Sequence, residues 1–158
     1  MVPRLSLTAR AGGILTCALA LLAGCASTPQ ATRERDAAAK EFVAHPATAA
    51  VYVYRDALDP PGTDSLLFAD RRLIGSTLPG GFFRIDLNPG KRVLRGLGYD
   101  QGALELDLHP GEIYFVSLRV VEGTSYFVAR PAPIGRVELL ACCVLLENWA
   151  PGQRPLLR

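Results

Sequence analysis

The stretch FRIDLNPGK, residues 83–91, determines the fold class of this 158-residue chain. Its apolar residues Phe83, Ile85 and Leu87 are separated by charged residues, which is the period of two expected of a strand with one buried face. The Pro-Gly pair that follows supplies the fixed φ of proline and the positive φ of glycine that a type II turn needs. The stretch therefore predicts a half-buried β-strand that ends in a tight turn.

A second copy of this turn lies 21 residues further along the chain. Residues 87–91 and residues 108–112 both read Leu-x-Pro-Gly followed by a charged residue. Between the two turns, Leu104, Leu106 and Leu108 alternate with acidic residues, which predicts another half-buried strand. Each Pro-Gly turn is therefore expected to end one strand and begin the next.

Several more runs in the central part of the chain have strand character. Residues 113–121 are almost continuously apolar, as expected of a strand covered on both faces, and residues 125–130 are expected to pair with them as a hairpin. The other predicted strands are residues 49–55, 66–69 and 72–74, the last two joined by a tight turn at Asp70-Arg71. Residues 47–147 are therefore predicted to form an all-β, mainly antiparallel domain, a small β-sandwich or partly open barrel of about eight strands.

The C-terminal part gives a weaker pattern. Residues 137–146 are apolar enough for a buried strand or a short helix, and we favour a helix or irregular structure. Pro131 and Pro133 are expected to interrupt the pattern before it. Residues 148–158 are expected to form a tail, with Trp149 packed against the domain.

The N-terminal part reads as a leader and a tether. Arg4 and Arg10 precede an uncharged run that ends in small residues, which is the pattern of a signal peptide over residues 1–24 and too short for a spanning helix. Residues 25–46 are expected to form a tether, and the Ala-rich part of it could form a short helix. The apolar face of that helix is thin, so we expect it to be solvated or loosely docked.

The last residues of the leader are the most specific motif in the chain. Leu22-Ala23-Gly24-Cys25 resembles the lipobox of bacterial lipoproteins, where signal peptidase II cuts before the cysteine. The resemblance implies a diacylglyceryl group on the Cys25 sulfur and an acyl chain on the new amino terminus. Ala26 after the cysteine implies sorting to the outer membrane, with the domain facing the periplasm.

Cleavage before Cys25 also changes the charge balance of the chain. The full chain has 17 basic and 15 acidic residues, and the leader contains two of the basic residues and none of the acidic ones. The remaining 134 residues are formally neutral, which argues against nucleic acid as a partner.

The chain offers few residues for catalysis. His45 and His109 have no second ligand at metal-binding spacing, and no nucleophile elbow is present. Cys142 and Cys143 lie in an apolar run, so we favour two unreactive buried thiols over a redox switch. We therefore expect no catalytic site, metal or cofactor.

One pair of aromatic residues is a candidate contact patch. Tyr52 and Tyr54 share one face of the predicted strand over residues 49–55. They form either a surface for an envelope protein or glycan, or a second packed layer of the sandwich.

The strand and turn motifs resemble the DUF2846 family of small envelope lipoproteins, with turns similar to those of PEGA-type surface modules. The resemblance covers residues 47–137 and implies a small β-domain, with no functional residues. One departure is Asp70-Arg71, where the family pattern has a glycine. The motifs that carry the resemblance lie at residues 49–55, 68–75, 81–83, 87–90 and 111–116.

The sequence thus predicts an outer-membrane lipoprotein that acts as a non-enzymatic interaction or accessory module of the cell envelope. Two alternatives remain open. A periplasmic hydrolase acting on envelope material requires His45 or His109 buried beside an acid, and a thiol-redox protein requires Cys142 and Cys143 to form a redox couple.

Overall fold

The computed structural model describes residues 28–59, 65–96 and 102–148, and these residues form nine strands and two short helices. The helices are α1 (Arg33–Ala39) and α2 (Ala132–Cys142). The strands are β1 (Ala49–Arg55), β2 (Ser65–Ala69), β3 (Arg72–Thr77), β4 (Gly81–Leu87), β5 (Gly90–Arg95), β6 (Ala103–Leu108), β7 (Ile113–Val121), β8 (Thr124–Arg130) and β9 (Val144–Leu145).

The strands form two sheets that pack face to face. One sheet has five strands in the order β8-β7-β1-β4-β9, and the other has four in the order β3-β2-β5-β6. Within the described residues β1 pairs with β7, and β4 with β9, in parallel, while the remaining strand pairs are antiparallel. The predicted small, mainly antiparallel β-sandwich is therefore confirmed.

The alternation in β4 places its side chains as the sequence predicts. Phe83, Ile85 and Leu87 lie in the core between the two sheets, and Val51 and Val53 of β1 pair with Ile85 and Phe83. Because the residues of β4 that alternate with this apolar set are Arg84 and Asp86, the register cannot slip by one residue without placing these charges in the core.

The two Pro-Gly turns also have the predicted backbone. Gly90 has φ 103° and Gly111 has φ 76°, and a Cβ added at either position would meet no atom within 4 Å. The left-handed backbone, rather than crowding, is therefore what requires glycine there. The hairpin between β7 and β8 is confirmed as well, with Glu122 and Gly123 at positive φ in its turn.

The two helices form a third layer on the outer face of the five-stranded sheet. A second apolar cluster lies under them, in which the Tyr52 ring is 5.2 Å from Phe42 and 5.3 Å from Phe115. All seven residues of β1 are buried, because the other sheet covers one face and the helical layer covers the opposite face.

The expectation of a tether with a loosely docked helix is wrong for residues 28–46. The Ala31 amide donates to the Leu145 carbonyl at 2.8 Å, and the Leu145 amide donates to the Asp36 carboxylate at 2.8 Å. Ala39 and Phe42 are buried in the cluster under the helices. Helix α1 docks through a hydrogen bond to β9 and through the ring of Phe42, which follows the helix. The spacing of apolar residues within α1 indicates neither contact, so the sequence did not predict the docking.

The expectation for residues 131–146 is partly wrong. The helix is confirmed for residues 137–142, but it begins at Ala132, with Pro131 at its N-cap and Pro133 in its first turn. Proline is tolerated there because the amides of the first turn have no partner within the helix. Residues 144–145 then form β9, and Trp149 lies outside the described residues.

Candidate functional site

The lipobox residues Leu22, Ala23, Gly24 and Cys25 lie outside the described residues. Lipidation of Cys25 therefore stays a prediction from the sequence. No helix in the described ranges is both long and apolar enough to cross a membrane.

Of the two interpretations of the Tyr52–Tyr54 pair, the contact patch is the one that the structure contradicts. Tyr52 is 0% exposed and Tyr54 is 3% exposed, because α2 and the residue Phe42 cover this face of β1. The alternative of a second packed layer holds instead. The two tyrosines thus belong to the core and offer no surface to a protein or a glycan.

The hydroxyl groups of both tyrosines are also engaged. Tyr52 donates to the Ala39 carbonyl at 2.7 Å, and Tyr54 donates to the Glu138 carboxylate, whose Oε2 lies 3.5 Å from Nε of Arg130. Burial raises the pKa of Tyr52 to about 12, and burial followed by the Glu138 hydrogen bond raises the pKa of Tyr54. Both phenols stay protonated at neutral pH and act as structural donors.

Neither histidine has the surroundings of a catalytic base. His45 and His109 are both exposed, and Nδ1 of His45 accepts a hydrogen bond from the Ala47 amide at 3.2 Å. The hydrolase alternative required His45 or His109 to be buried beside an acid, and neither histidine is buried. Across the part of the chain that the structure describes, no three His, Cys, Asp or Glu side chains cluster as metal ligands.

A buried ion pair at one end of the sandwich was not predicted. Arg55 Nε lies 3.1 Å from Asp59 Oδ2, and the side chains of the two residues are only 1% and 6% exposed. Arg55 Nη1 also donates to the Thr77 carbonyl at 3.1 Å, and the Val120 amide donates to Asp59 Oδ2 at 3.2 Å. Buried charges require such partners, so the pair links β1, β3 and β7.

Hydroxyl groups next to this pair connect the two sheets. Ser65 of β2 and Ser125 of β8 lie 2.7 Å apart through their Oγ atoms, and the Thr77 hydroxyl donates to the Ser65 carbonyl at 2.9 Å. Because these polar groups bond to one another within the fold, the cluster is better suited to fixing the sheets than to binding a ligand.

The expectation of two separate buried thiols is wrong as well, because Cys142 and Cys143 form a disulfide. Two neighbouring cysteines within one strand would point to opposite faces of the sheet. Here Cys142 is instead the last residue of α2 and only Cys143 is extended, so the two side chains are not held on opposite faces. Cys143 is 4% exposed, and its Sγ lies 3.2 Å from the Arg55 carbonyl oxygen, while Cys142 is half-buried.

An exposed apolar surface of the helical layer lies on α2 and the start of β9. Sequence reasoning missed it, because residues 137–146 fitted either a helix or a strand and these two give different exposed faces. We call this set of side chains the α2 surface. Its members and their exposed fractions are Ile134 (49%), Val137 (67%), Leu140 (51%) and Val144 (39%).

Comparison of the chain with models of known protein families, and with curated proteins, gives no match. The resemblance to small envelope lipoproteins therefore rests on the motifs quoted above.

Proposed function

We propose that the chain is a lipid-anchored protein of the outer membrane, with its β-sandwich facing the periplasm as a non-enzymatic interaction or accessory module. The proposal is based in part on the resemblance of the sequence motifs to those of small envelope lipoproteins. The observation that carries it is the order of two segments, since a lipobox ending at Cys25 is followed within three residues by a folded domain.

Two features of the described residues support a role without catalysis. The buried charged and hydroxyl groups at the end of the sandwich bond to one another, as Arg55 does with Asp59 and Ser65 with Ser125. Both histidines are exposed. Because a fold alone does not assign a function and these interior groups are bonded to one another, the action of the module is expected at its surface.

Mass spectrometry of the membrane-extracted protein tests the anchor. We expect a mature chain that begins at Cys25 and is heavier than its sequence by a diacylglyceryl group and an acyl chain. Cys25→Ser should keep its leader and lack the lipid, while Cys17→Ser, at the cysteine inside the leader, should be processed normally. An unmodified amino terminus in the parent protein contradicts the proposal.

The disulfide favours a second candidate, a thiol-redox protein. In this reaction the disulfide takes two electrons and two protons from a partner dithiol, so that Cys142 and Cys143 become thiols and the partner becomes a disulfide. Cys142 is the more accessible sulfur, because Cys143 is 4% exposed. An oxidising compartment, which the leader predicts, keeps such a bond closed at rest.

Thiol counting tests this candidate. The denatured mature domain, produced from residue 26 without the leader, should show no reactive thiol before treatment with a dithiol and two afterwards. Cys142→Ser should show one in both conditions. Two thiols in the untreated protein would contradict the candidate, because no oxidised form would then exist.

A further inference from the structure

The first described residue, Thr28, is fixed to the sandwich. Its hydroxyl donates to the Ser76 carbonyl at 2.8 Å and accepts from the Ser76 amide at 3.1 Å. Only 3% of Thr28 is exposed. The preceding residues therefore continue from a fixed point at one edge of the fold.

This fixed point is close along the chain to the proposed lipid. Cys25 precedes Thr28 by three residues, and consecutive Cα atoms are about 3.8 Å apart, so the two Cα atoms are at most about 11 Å apart. A folded domain of about 100 residues has a radius of gyration of about 13 Å. The linker is thus shorter than the domain is wide, and a side of the domain next to Thr28 must lie against the membrane.

The helical side of the domain adjoins this point. Residues 29–31 pair with residues 145–147, since the Ala31 amide donates to Leu145 and the Glu147 amide donates to Pro29, each at 2.8 Å. Val144, the last member of the α2 surface, immediately precedes this pairing. The α2 surface therefore ends beside residues 29–31, which follow Thr28 along the edge of the five-stranded sheet.

The chemistry of the α2 surface fits a bilayer. Its four members are aliphatic and 39–67% exposed. Arg136 is the one basic residue of α2, and its guanidinium carbon lies over the Phe42 ring, 4.7 Å from the ring centroid. Apolar side chains on an interfacial helix bury about 5–10 Å into the boundary between headgroups and acyl chains.

The opposite side of the domain has a different character. Leu104, Leu106 and Leu108 point into the core, so Glu105 and Asp107 face outward from the four-stranded sheet. Glu105 pairs with Lys91 at 3.1 Å, with side chains 59% and 73% exposed. Desolvating these charges against acyl chains would be unfavourable, so this side is expected to stay in water.

We infer that the α2 surface rests on the lipid bilayer, held there by the short chain between Cys25 and Thr28. This inference depends on the proposed lipid anchor. In this orientation the helical layer lies against the membrane, and the outer face of the four-stranded sheet faces other components of the envelope.

Tryptophan quenching in vesicles tests this orientation. The lipidated full-length mature protein, carrying Trp149→Phe, receives a single tryptophan either as Val137→Trp or, as the matched control, as Glu105→Trp. In phosphatidylethanolamine–phosphatidylglycerol vesicles with brominated acyl chains, we expect Val137→Trp to be quenched at least ~3-fold more than Glu105→Trp, with a blue-shifted emission. Leu140→Trp should repeat the result at a second position.

The possible outcomes separate the inference from the anchor. A protein that lacks the lipid by mass contradicts the proposed function and the inference together. Equal quenching at both positions in a lipidated, vesicle-bound protein overturns the inference alone. A blue shift at Val137→Trp without quenching by bromine also overturns it, because a protein or a second copy would then cover the α2 surface.

Discussion

Replacing Arg55 with methionine is expected to lower the free energy of unfolding by about 3–5 kcal/mol, because the substitution leaves the buried Asp59 carboxylate with only the exposed Arg119 as a cation, whose Nε lies 4.0 Å away. The side chain of Asp59 is 6% exposed and lies 3.1 Å from Arg55 Nε. Removing Arg55 also removes a donor to the Thr77 carbonyl. A buried charge that has lost its closest cation is unfavourable enough that the end of the sandwich should open before the core between the sheets unfolds.

Chemical denaturation of the unlipidated domain measures this effect. Lys91→Met is the matched control, because Lys91 pairs with Glu105 at the surface and its loss should cost no more than about 1 kcal/mol. The double variant Arg55→Met/Asp59→Leu should be more stable than Arg55→Met, since it also removes the buried carboxylate that has lost its closest cation. If Arg55→Met is no less stable than Lys91→Met, the buried pair does not hold the strands.

Replacing Gly135 with alanine is expected to destabilise the domain although alanine is the better helix former. A Cβ at this position would lie 2.3 Å from Cβ and 2.6 Å from Cγ of Phe115. Alanine gains about 1 kcal/mol over glycine in a helix interior, while overpacking of a close contact costs about 1–3 kcal/mol. Because the atom in the way is a Cβ fixed to β7, it cannot rotate aside, and we expect a net loss of up to about 2 kcal/mol.

The sign of this change separates packing from helix propensity. The comparison is Ala37→Gly on the exposed side of α1, which should lower stability by up to about 1 kcal/mol through propensity alone. Both substitutions are therefore expected to shift the denaturation midpoint downward, and amides of α2 should exchange faster in Gly135→Ala. A midpoint that rises in Gly135→Ala would show that α2 packs less closely on β7.

Local patterns in the sequence predicted the strands and turns correctly. The alternation over residues 83–87 identified β4, and the Pro-Gly pairs identified turns whose glycines have positive φ. These features depend on a few neighbouring residues, because side-chain period and turn backbone are local properties. The hairpin of β7 and β8 was predicted for the same reason.

Features that depend on distant partners were not predicted. Arg55 ends a strand and reads as an exposed residue, but Asp59 and the Thr77 carbonyl enclose it. Tyr52 and Tyr54 alternate with valines in a way that fits either an exposed or a covered face. Only the packing of α2 and Phe42 decides between these readings.

The same distinction between local patterns and distant contacts applies to the candidate functional residues. The lipobox is a contiguous motif, so the sequence alone predicts Cys25 as the anchor. The α2 surface depends on where a helix begins after two prolines and on which of its sides Phe115 covers. Neither of these can be read from an apolar run that fits a helix and a strand equally well.

The pairing of Gln30 with Leu146 has a consequence for biogenesis. These two residues are separated by most of the folded domain, so residues 29–31 can pair with residues 145–147 only after nearly the whole domain has been synthesised. In the exported, lipidated protein that we propose, this edge of the larger sheet closes only after residue 146 has crossed the membrane. Closure of the edge then brings the anchored end against the domain.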